Sequence, residues 1–259
     1  MPKHKGKGQF MADLFGYDKI KTTIERIRQF EPPEGYYLAF SGGKDSVVLK
    51  ALVDLSGVKY DAHMSITTVD PPELLRFIKQ YHSDVIFDKP KSNMWNLIIY
   101  NKFPPTRIMR YCCEQLKECH GHGRLLLTGI RTEESNQRKK RQLVEQCRND
   151  PRKRYVHPII DWTEQEIWQF IKDYKLPYCS LYDEGFKRIG CVMCPQASRS
   201  KRLFDCQRFP NFYRAYLRTF NKLIELYPER YTTFKSGQDI MDWWLSDIKA
   251  LDNTEGLFT

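Results

Sequence analysis

Residues 36–48 read YYLAFSGGKDSVV: an apolar run, then two serines, two glycines, a lysine and an aspartate, then apolar residues again. An extended run that stops at paired glycines and restarts as a helix is a strand–turn–helix joint, and it commits the chain to an α/β fold. Gly42 and Gly43 let the backbone approach a ligand with no side chain in the way. The amides of such a turn, with the positive end of the helix after it, favour an anion, and a nucleotide phosphate is the candidate. Lys44 is placed to neutralise phosphate charge, Asp45 to orient Mg²⁺ or water, and Ser41 and Ser46 to donate to phosphate oxygens. The Walker spacing GxxxxGK[ST] is absent.

The surrounding pattern supports the joint. A helix is expected over 13–30, stopped by Pro32, Pro33 and Gly35. A strand follows at 36–40, then a helix with Val47, Val48, Ala51, Leu52 and Leu55 on one face. Tyr60–Ile66 reads as a strand, Pro71–Tyr81 as a helix with proline in its first turn, and Val85–Phe87 as a strand. Helical stretches are expected near 93–101 and 106–119. Leu125–Ile130 reads as a strand buried on both faces, and Val156–Ile160 as another. Thr163 and Glu166 form a capping box opening a helix with Ile167, Trp168, Phe170 and Ile171. Residues 176–206 read as irregular, and 210–227 as a helix whose Tyr216, Phe220 and Leu223 stripe is core packing. Strands alternating with helices predict a doubly wound, mainly parallel sheet with helices on both faces. The expected organisation is a tail and helix over 1–35, a nucleotide-binding α/β domain over 36–175, and a cysteine-bearing segment with C-terminal helices over 176–259 packed on the same domain.

No run of about 18 apolar residues is present, so no membrane span or membrane partner is expected. The N-terminus lacks the apolar stretch of a secretory signal, and a cytoplasmic protein is the expectation. Lys and Arg number 42 against 32 Asp and Glu, a net charge of +10. Basic clusters at 138–141, 152–154 and 199–202 suit polyanions or anionic nucleotides; a solvated basic surface is the plainer reading. With no sign of export, the eight cysteines point to metal or redox use rather than disulfides.

Cys191-Val192-Met193-Cys194 is a CxxC pair able to grip one metal centre. Cys112-Cys113 is a vicinal pair on an expected helix, where neighbouring side chains diverge by about 100°; both reach one centre only if the helix end distorts. Four thiolates fit a [4Fe–4S] cluster or a zinc ion. Cys119–His122 reads as an exposed loop, Cys179 as a buried cysteine or a sulfur relay, and Cys147 and Cys206 as structural.

These pairs stand in a characteristic order. SGGKDS is followed by RYCCEQLK at 110–117, GIRTEESNQR at 129–138, PIIDWTEQEIW at 158–168, LPYC at 176–179, LYD at 181–183 and IGCVMC at 189–194. The loop resembles the PP-loop of the adenine-nucleotide α-hydrolases, which cleave ATP between its α and β phosphates. The order over about 36–210 resembles the APS/PAPS reductase family. In cluster-bearing members a CC pair and a CxxC pair ligate iron, so the resemblance implies that Cys112, Cys113, Cys191 and Cys194 hold [4Fe–4S].

Two features depart from the reductases. Those enzymes carry a catalytic cysteine in a short C-terminal tail; here no cysteine follows Cys206, which leaves Cys206 as the one substitute. They also usually lack the Lys–Asp pair of the loop, whereas Lys44 and Asp45 are present. An intact loop is similar to the ATP-cleaving branch, which includes tRNA thiolation enzymes, ATP sulfurylase small subunits and iron–sulfur DNA phosphorothioation sulfurtransferases. The resemblance implies an ATP·Mg²⁺-dependent adenylation and sulfur transfer. Lys44 and Asp45 would be catalytic. Ser41, Gly42, Gly43, Ser46, Asp70, Gly129, Arg131 and Arg138 would complete the nucleotide site. A sulfur donor such as a cysteine desulfurase is implied, and nucleic acid as acceptor, met directly or through a partner subunit; an assembly of identical chains is compatible with this. The alternatives are a sulfonucleotide reductase and a non-enzymatic nucleotide-binding subunit.

Overall fold

The computed structural model describes residues 18–147 and 150–246. The expected tail over 1–10, the start of the 13–30 helix and the residues from 247 onward lie outside the described residues. The described chain divides into two packed units. The first comprises the residues up to Met64, Glu73–Phe87 and Gly121–Ile189; the second comprises Ser65–Pro72, Asp88–His120 and the residues from Gly190 on. Among the described residues no helix is long and apolar enough to cross a membrane.

Among the described residues six strands make one sheet: β1 (Tyr36–Ala39), β2 (Tyr60–Ser65), β3 (Ile86–Asp88), β4 (Leu125–Leu127), β5 (Val144–Gln146) and β6 (Arg154–Val156). Their spatial order is β3-β2-β1-β4-β6-β5. β1 runs parallel to β2 and β4, β6 parallel to β4, and β5 antiparallel to β6. The chain therefore winds outward from β1 to β3, then returns to start again at β4 on the other side. This is the doubly wound, mainly parallel α/β fold that the alternating pattern predicts. The reversal between β1 and β4 is a topological switch point, and in open α/β sheets the crevice beyond the carboxyl ends of such strands is where ligands bind.

The first unit's helices are α1 (Lys19–Gln29), α2 (Lys44–Ser56), nearly all of α3 (Pro72–Tyr81), and α6 (Glu164–Asp173). α2 packs against α1 and α6. Leu38, Val48, Leu49, Leu52, Val53, Ile167 and Phe170 are fully buried. Trp162 is buried with them, and its indole N–H donates to Thr23 Oγ1 at 3.0 Å. In the second unit α8 (Pro210–Leu226) packs against α4 (Met94–Asn101), α7 (Arg199–Arg208) and α9 (Gly237–Leu245), and α5 (Tyr111–Leu116) is a short separate helix. The Tyr216–Phe220 stripe is core: Trp244 of α9 lies with ring centroids 4.9 and 5.5 Å from those two rings.

Several elements differ from expectation. The strand expected over 156–160 is β6, which ends at Val156 because Pro158 has no N–H to continue a ladder. The helix expected over 106–119 starts only at Tyr111, after a turn closed by Thr106 N–H on Met109 O at 3.1 Å. The 176–206 segment is not irregular to its end: Ser198 caps α7, its hydroxyl accepting from Lys201 N at 3.3 Å. Strand β5 and helix α9 had no expectation. β5 is three residues at the sheet edge, too short to show alternation.

The capping box forms as the sequence predicts. Thr163 Oγ1 accepts from Glu166 N at 3.2 Å, and Glu166 Oε2 accepts from Thr163 N at 2.7 Å. Thr163→Ala removes the first of these bonds. Stability should fall by about 1 kcal/mol, which for a chain of this size is a drop in melting temperature of about 2–4 °C, read by differential scanning calorimetry.

Candidate functional site

The glycine turn sits at the carboxyl end of β1, at the switch point. Gly42 has φ +70°, and a Cβ there would lie 2.6 Å from Leu74 Cδ1 and 2.7 Å from Ile78 Cδ1. Both the backbone and the packing therefore demand glycine. Gly43 is the N-cap of α2, and the first intrahelical bond runs from Val47 N to Gly43 O at 3.0 Å. The amides of 44–46 precede that bond and have no partner from the preceding helical turn. Ser46 Oγ donates to Gly43 O at 2.8 Å and Ser41 Oγ lies 3.3 Å from Ser46 Oγ, so the two hydroxyls brace the turn.

Charged groups converge on this helix start. Lys44 is buried, with Nζ 3.4 Å from Lys187 O, 3.5 Å from Asp45 Oδ2 and 3.7 Å from Glu164 Oε1. Arg131, 1% exposed, donates from Nε to Asp45 Oδ1 at 2.6 Å and from Nη1 to Glu133 Oε2 at 2.9 Å and to Trp162 O at 3.2 Å. Burial works against the charged guanidinium, but Asp45, Glu134 and Glu133 outweigh it and hold Arg131 above its ordinary pKa. Arg138 is bonded to Glu134, whose Oε1 also accepts from Arg131 N at 3.1 Å. Gly129 leaves β4 against the same helix start: a Cβ there would stand 3.2 Å from Asp45 C and O and 3.3 Å from Ser46 N. Ser41, Gly42, Gly43, Lys44, Asp45, Ser46, Gly129 and Arg131 thus meet at one place, with Arg138 linked to them through Glu134.

Sequence reasoning missed Tyr182. Its phenol oxygen accepts from Lys44 N at 2.9 Å, and Lys44 Nζ lies 5.7 Å from the ring centroid. Trp168 backs the ring edge-on at 5.1 Å. The LYD stretch signals a turn, but no spacing in the sequence announces a bond across 138 positions. Glu133, Glu134 and Glu164 were likewise unremarked.

The second unit gathers the four thiols. Cys112, Cys113, Cys191 and Cys194 line one pocket with Thr67, Met94, Leu116, Lys117, Pro195 and Tyr216. The vicinal pair opens α5, where Cys113 N donates to Arg110 O at 2.8 Å, three residues back rather than four. Arg110 O also accepts from Glu114 N at 3.3 Å, so the helix start carries both bonds. The CxxC turn closes through Met193, at φ +57°, whose N–H donates to the buried Asp205 carboxylate at 3.0 Å. Val192 N donates to Val69 O at 2.8 Å and fixes the turn's other end. The hydrogen bond from Cys112 brings the Cys113 thiol down to about 6 against burial, with Arg110 and Lys117 adding to the shift. Cys191 is the main influence holding Lys117 above its ordinary pKa. Asp70 also lies in this unit, and its two oxygens accept from Thr67 N at 2.7 Å and Thr67 Oγ1 at 2.8 Å.

Soft thiols facing one pocket beside a cationic lysine suit an iron–sulfur centre. Among the described residues no three His, Cys, Asp or Glu side chains are arranged to hold a single metal ion. Outside the pocket, Cys179 is fully buried and burial raises its pKa, while Cys206 is pushed up to about 11, also chiefly by burial. Both shifts disfavour a nucleophilic thiolate.

The sequence profile of the phosphoadenosine phosphosulfate reductase domain matches residues 35–197. The chain belongs to this family. An adenosine 5'-phosphosulfate reductase of Allochromatium vinosum is 34% identical over 194 residues, covering 73% of this chain and 68% of that protein. An uncharacterised protein of Methanocaldococcus jannaschii is 30% identical over 228 residues, 78% of this chain. The chain spans only 45% of that relative's length, and 46% of a second archaeal relative's. Among solved structures, a phosphate complex of the PAPS reductase of Candida auris superposes with a TM-score of 0.49 at 17% identity, covering 66% of this chain and 88% of that one.

Gly42→Ala places a side chain in the left-handed region and against Leu74 and Ile78. The expected cost is about 1–2 kcal/mol, a melting temperature lower by about 2–8 °C. Nucleotide binding, measured by calorimetry, should weaken along with it.

Proposed function

We propose that the chain is an ATP-dependent, PP-loop sulfurtransferase carrying a [4Fe–4S] cluster, with a nucleic acid as sulfur acceptor. The observation that carries this reading is the intact SGGKDS turn at the start of α2, with Lys44 and Asp45 both held at the switch point.

ATP lies with its phosphates on the amides of 43–46, displacing the Tyr182 phenol from the Lys44 N–H. An acceptor oxygen attacks the α-phosphorus; the bond to the bridging oxygen breaks and pyrophosphate leaves with that oxygen. Lys44 stabilises the charge that builds on pyrophosphate, the main lever in such transfers. Asp45, aimed by Arg131, holds Mg²⁺. Sulfide then bonds to the acceptor atom, and the acceptor oxygen departs on AMP; a cysteine desulfurase would instead present a persulfide, whose outer sulfur attacks and whose S–S bond a thiol reductant then cleaves. Arg131 serves here as a positioning residue: its Nε and Nη1 are engaged by Asp45, Glu133 and Trp162 O. Cys112, Cys113, Cys191 and Cys194 would hold the cluster, which would supply sulfur-binding or redox capacity in their pocket.

A second reading, a sulfonucleotide reductase, is favoured by the Allochromatium vinosum relative. It needs an attacking thiolate, and the shift at Cys206 runs the wrong way for one.

Wild-type protein with Mg²⁺, sulfide and nucleic acid should convert ATP to AMP and pyrophosphate, and Lys44→Ala should lose roughly 10²–10³ of that rate. Sulfite release from a sulfonucleotide with thioredoxin, in the absence of any ATP turnover, would establish the reductase instead. Protein purified without oxygen should be brown and contain equal iron and acid-labile sulfide, and Cys191→Ser should lose both. A colourless zinc protein would overturn the cluster assignment and leave the ATP site standing.

A further inference from the structure

The net charge of +10 is unevenly spread. Residues 138–154 carry Lys or Arg at 138–141, 148 and 152–154 against Glu145 and Asp150 only, so this stretch holds +6 of the total. In the fold it is the end of the sheet: among the described residues β5 is the edge strand, paired only with β6. The register sets Val144 opposite Val156 and Gln146 opposite Arg154. Lys139, Lys140 and Arg141 therefore stand at the sheet end where β4 delivers Gly129 to the phosphate loop. Arg152 and Arg154 stand at the other end, one strand length away, ~10 Å. All five are exposed.

An edge strand needs some charge to block pairing with another chain, but a few residues suffice for that. The strip also lacks what other polyanion surfaces require. Tyr155 is half-buried and stacked on His157 at 6.0 Å, so it offers no platform to an unpaired base. Val144 is the one exposed large apolar residue among its described residues, too little to enter a lipid surface.

We propose that the β5–β6 edge is a grip for the phosphate backbone of duplex nucleic acid, bound without reading its sequence. Duplex phosphates recur every 3.4 Å along each strand, so ~10 Å of basic edge spans about three of them. The inference deepens the nucleic-acid reading above and rests on it. It says which surface holds the acceptor, and that the site-side lysines bring the backbone to the end of the sheet where ATP binds.

The test is fluorescence anisotropy of labelled random-sequence DNA and RNA duplexes, as a salt series, with wild-type protein and the K139Q/K140Q/R152Q/R154Q variant. None of these four side chains touches the phosphate loop, so ATP binding by the variant, measured by calorimetry, should be unchanged and certifies its fold. Duplex affinity should drop at least tenfold, and the slope of log K against log salt should become shallower by about 3–4 for DNA. An unchanged slope in a variant that still binds ATP overturns the proposal. So does wild-type binding to phosphatidylserine vesicles in preference to duplex. If the variant loses its ATP affinity, the charge-reversed pair K139E/K140E is measured in the same way, and the same two results decide. A wild-type protein that grips duplex but never makes AMP would remove the sulfurtransferase reading and leave this surface standing.

Discussion

A single left-handed residue, Gly42, sets the geometry from which the nucleotide site follows. It turns the chain from β1 into α2 within the four residues 40–43 while Leu74 and Ile78 fill the space where a side chain would stand. That turn fixes the N-terminal amides of α2 at the switch point, and the helix direction fixes Lys44 and Asp45 beside them. Gly129 completes the arrangement, since a side chain there would crowd the backbone of Asp45 and Ser46 at 3.2–3.3 Å.

The electrostatics around the turn are balanced without a nucleotide. Arg131 neutralises Asp45, and Lys44 sits among a carbonyl and two carboxylates. A buried cation with partners on three sides is costly to disturb, so Arg131 gives Asp45 a fixed orientation rather than a mobile one. Tyr182 holds one loop amide with a neutral hydroxyl, a weaker partner than a phosphate oxygen. The site is thus built before its ligand arrives, which lowers the ordering cost of binding.

Much of this was legible in the sequence, where the determinants are local. The strand–turn–helix joint, the capping box at Thr163 and the Tyr216–Phe220 stripe rest on near neighbours, and each lies where periodicity and turn chemistry put it. The four thiols could be grouped from their spacing and company, and they share a pocket. What escaped is in part a matter of residues far apart in the chain and in part of local bonds that no sequence pattern announces. Arg131, expected to clamp phosphate, is taken up by Asp45 and Glu133. Tyr182 reaches Lys44 from the far end of the domain. Asp70, expected at the nucleotide, has both oxygens turned to Thr67. β5 exists only because β6 gives three residues a partner, and α7 carries too little apolar periodicity to show before Ser198 is seen capping it.

The family assignment fits the fold, while the chain covers less than half the length of two archaeal relatives. The central claim is therefore local: the amides of Gly43 to Ser46 hold the phosphates of ATP. Amide hydrogen exchange with and without Mg·ATP tests it directly. The account predicts strong new protection at Gly43, Lys44, Asp45 and Ser46, centred on that turn. Exchange at these four positions that ATP leaves unaltered, in protein that demonstrably binds the nucleotide, would contradict it.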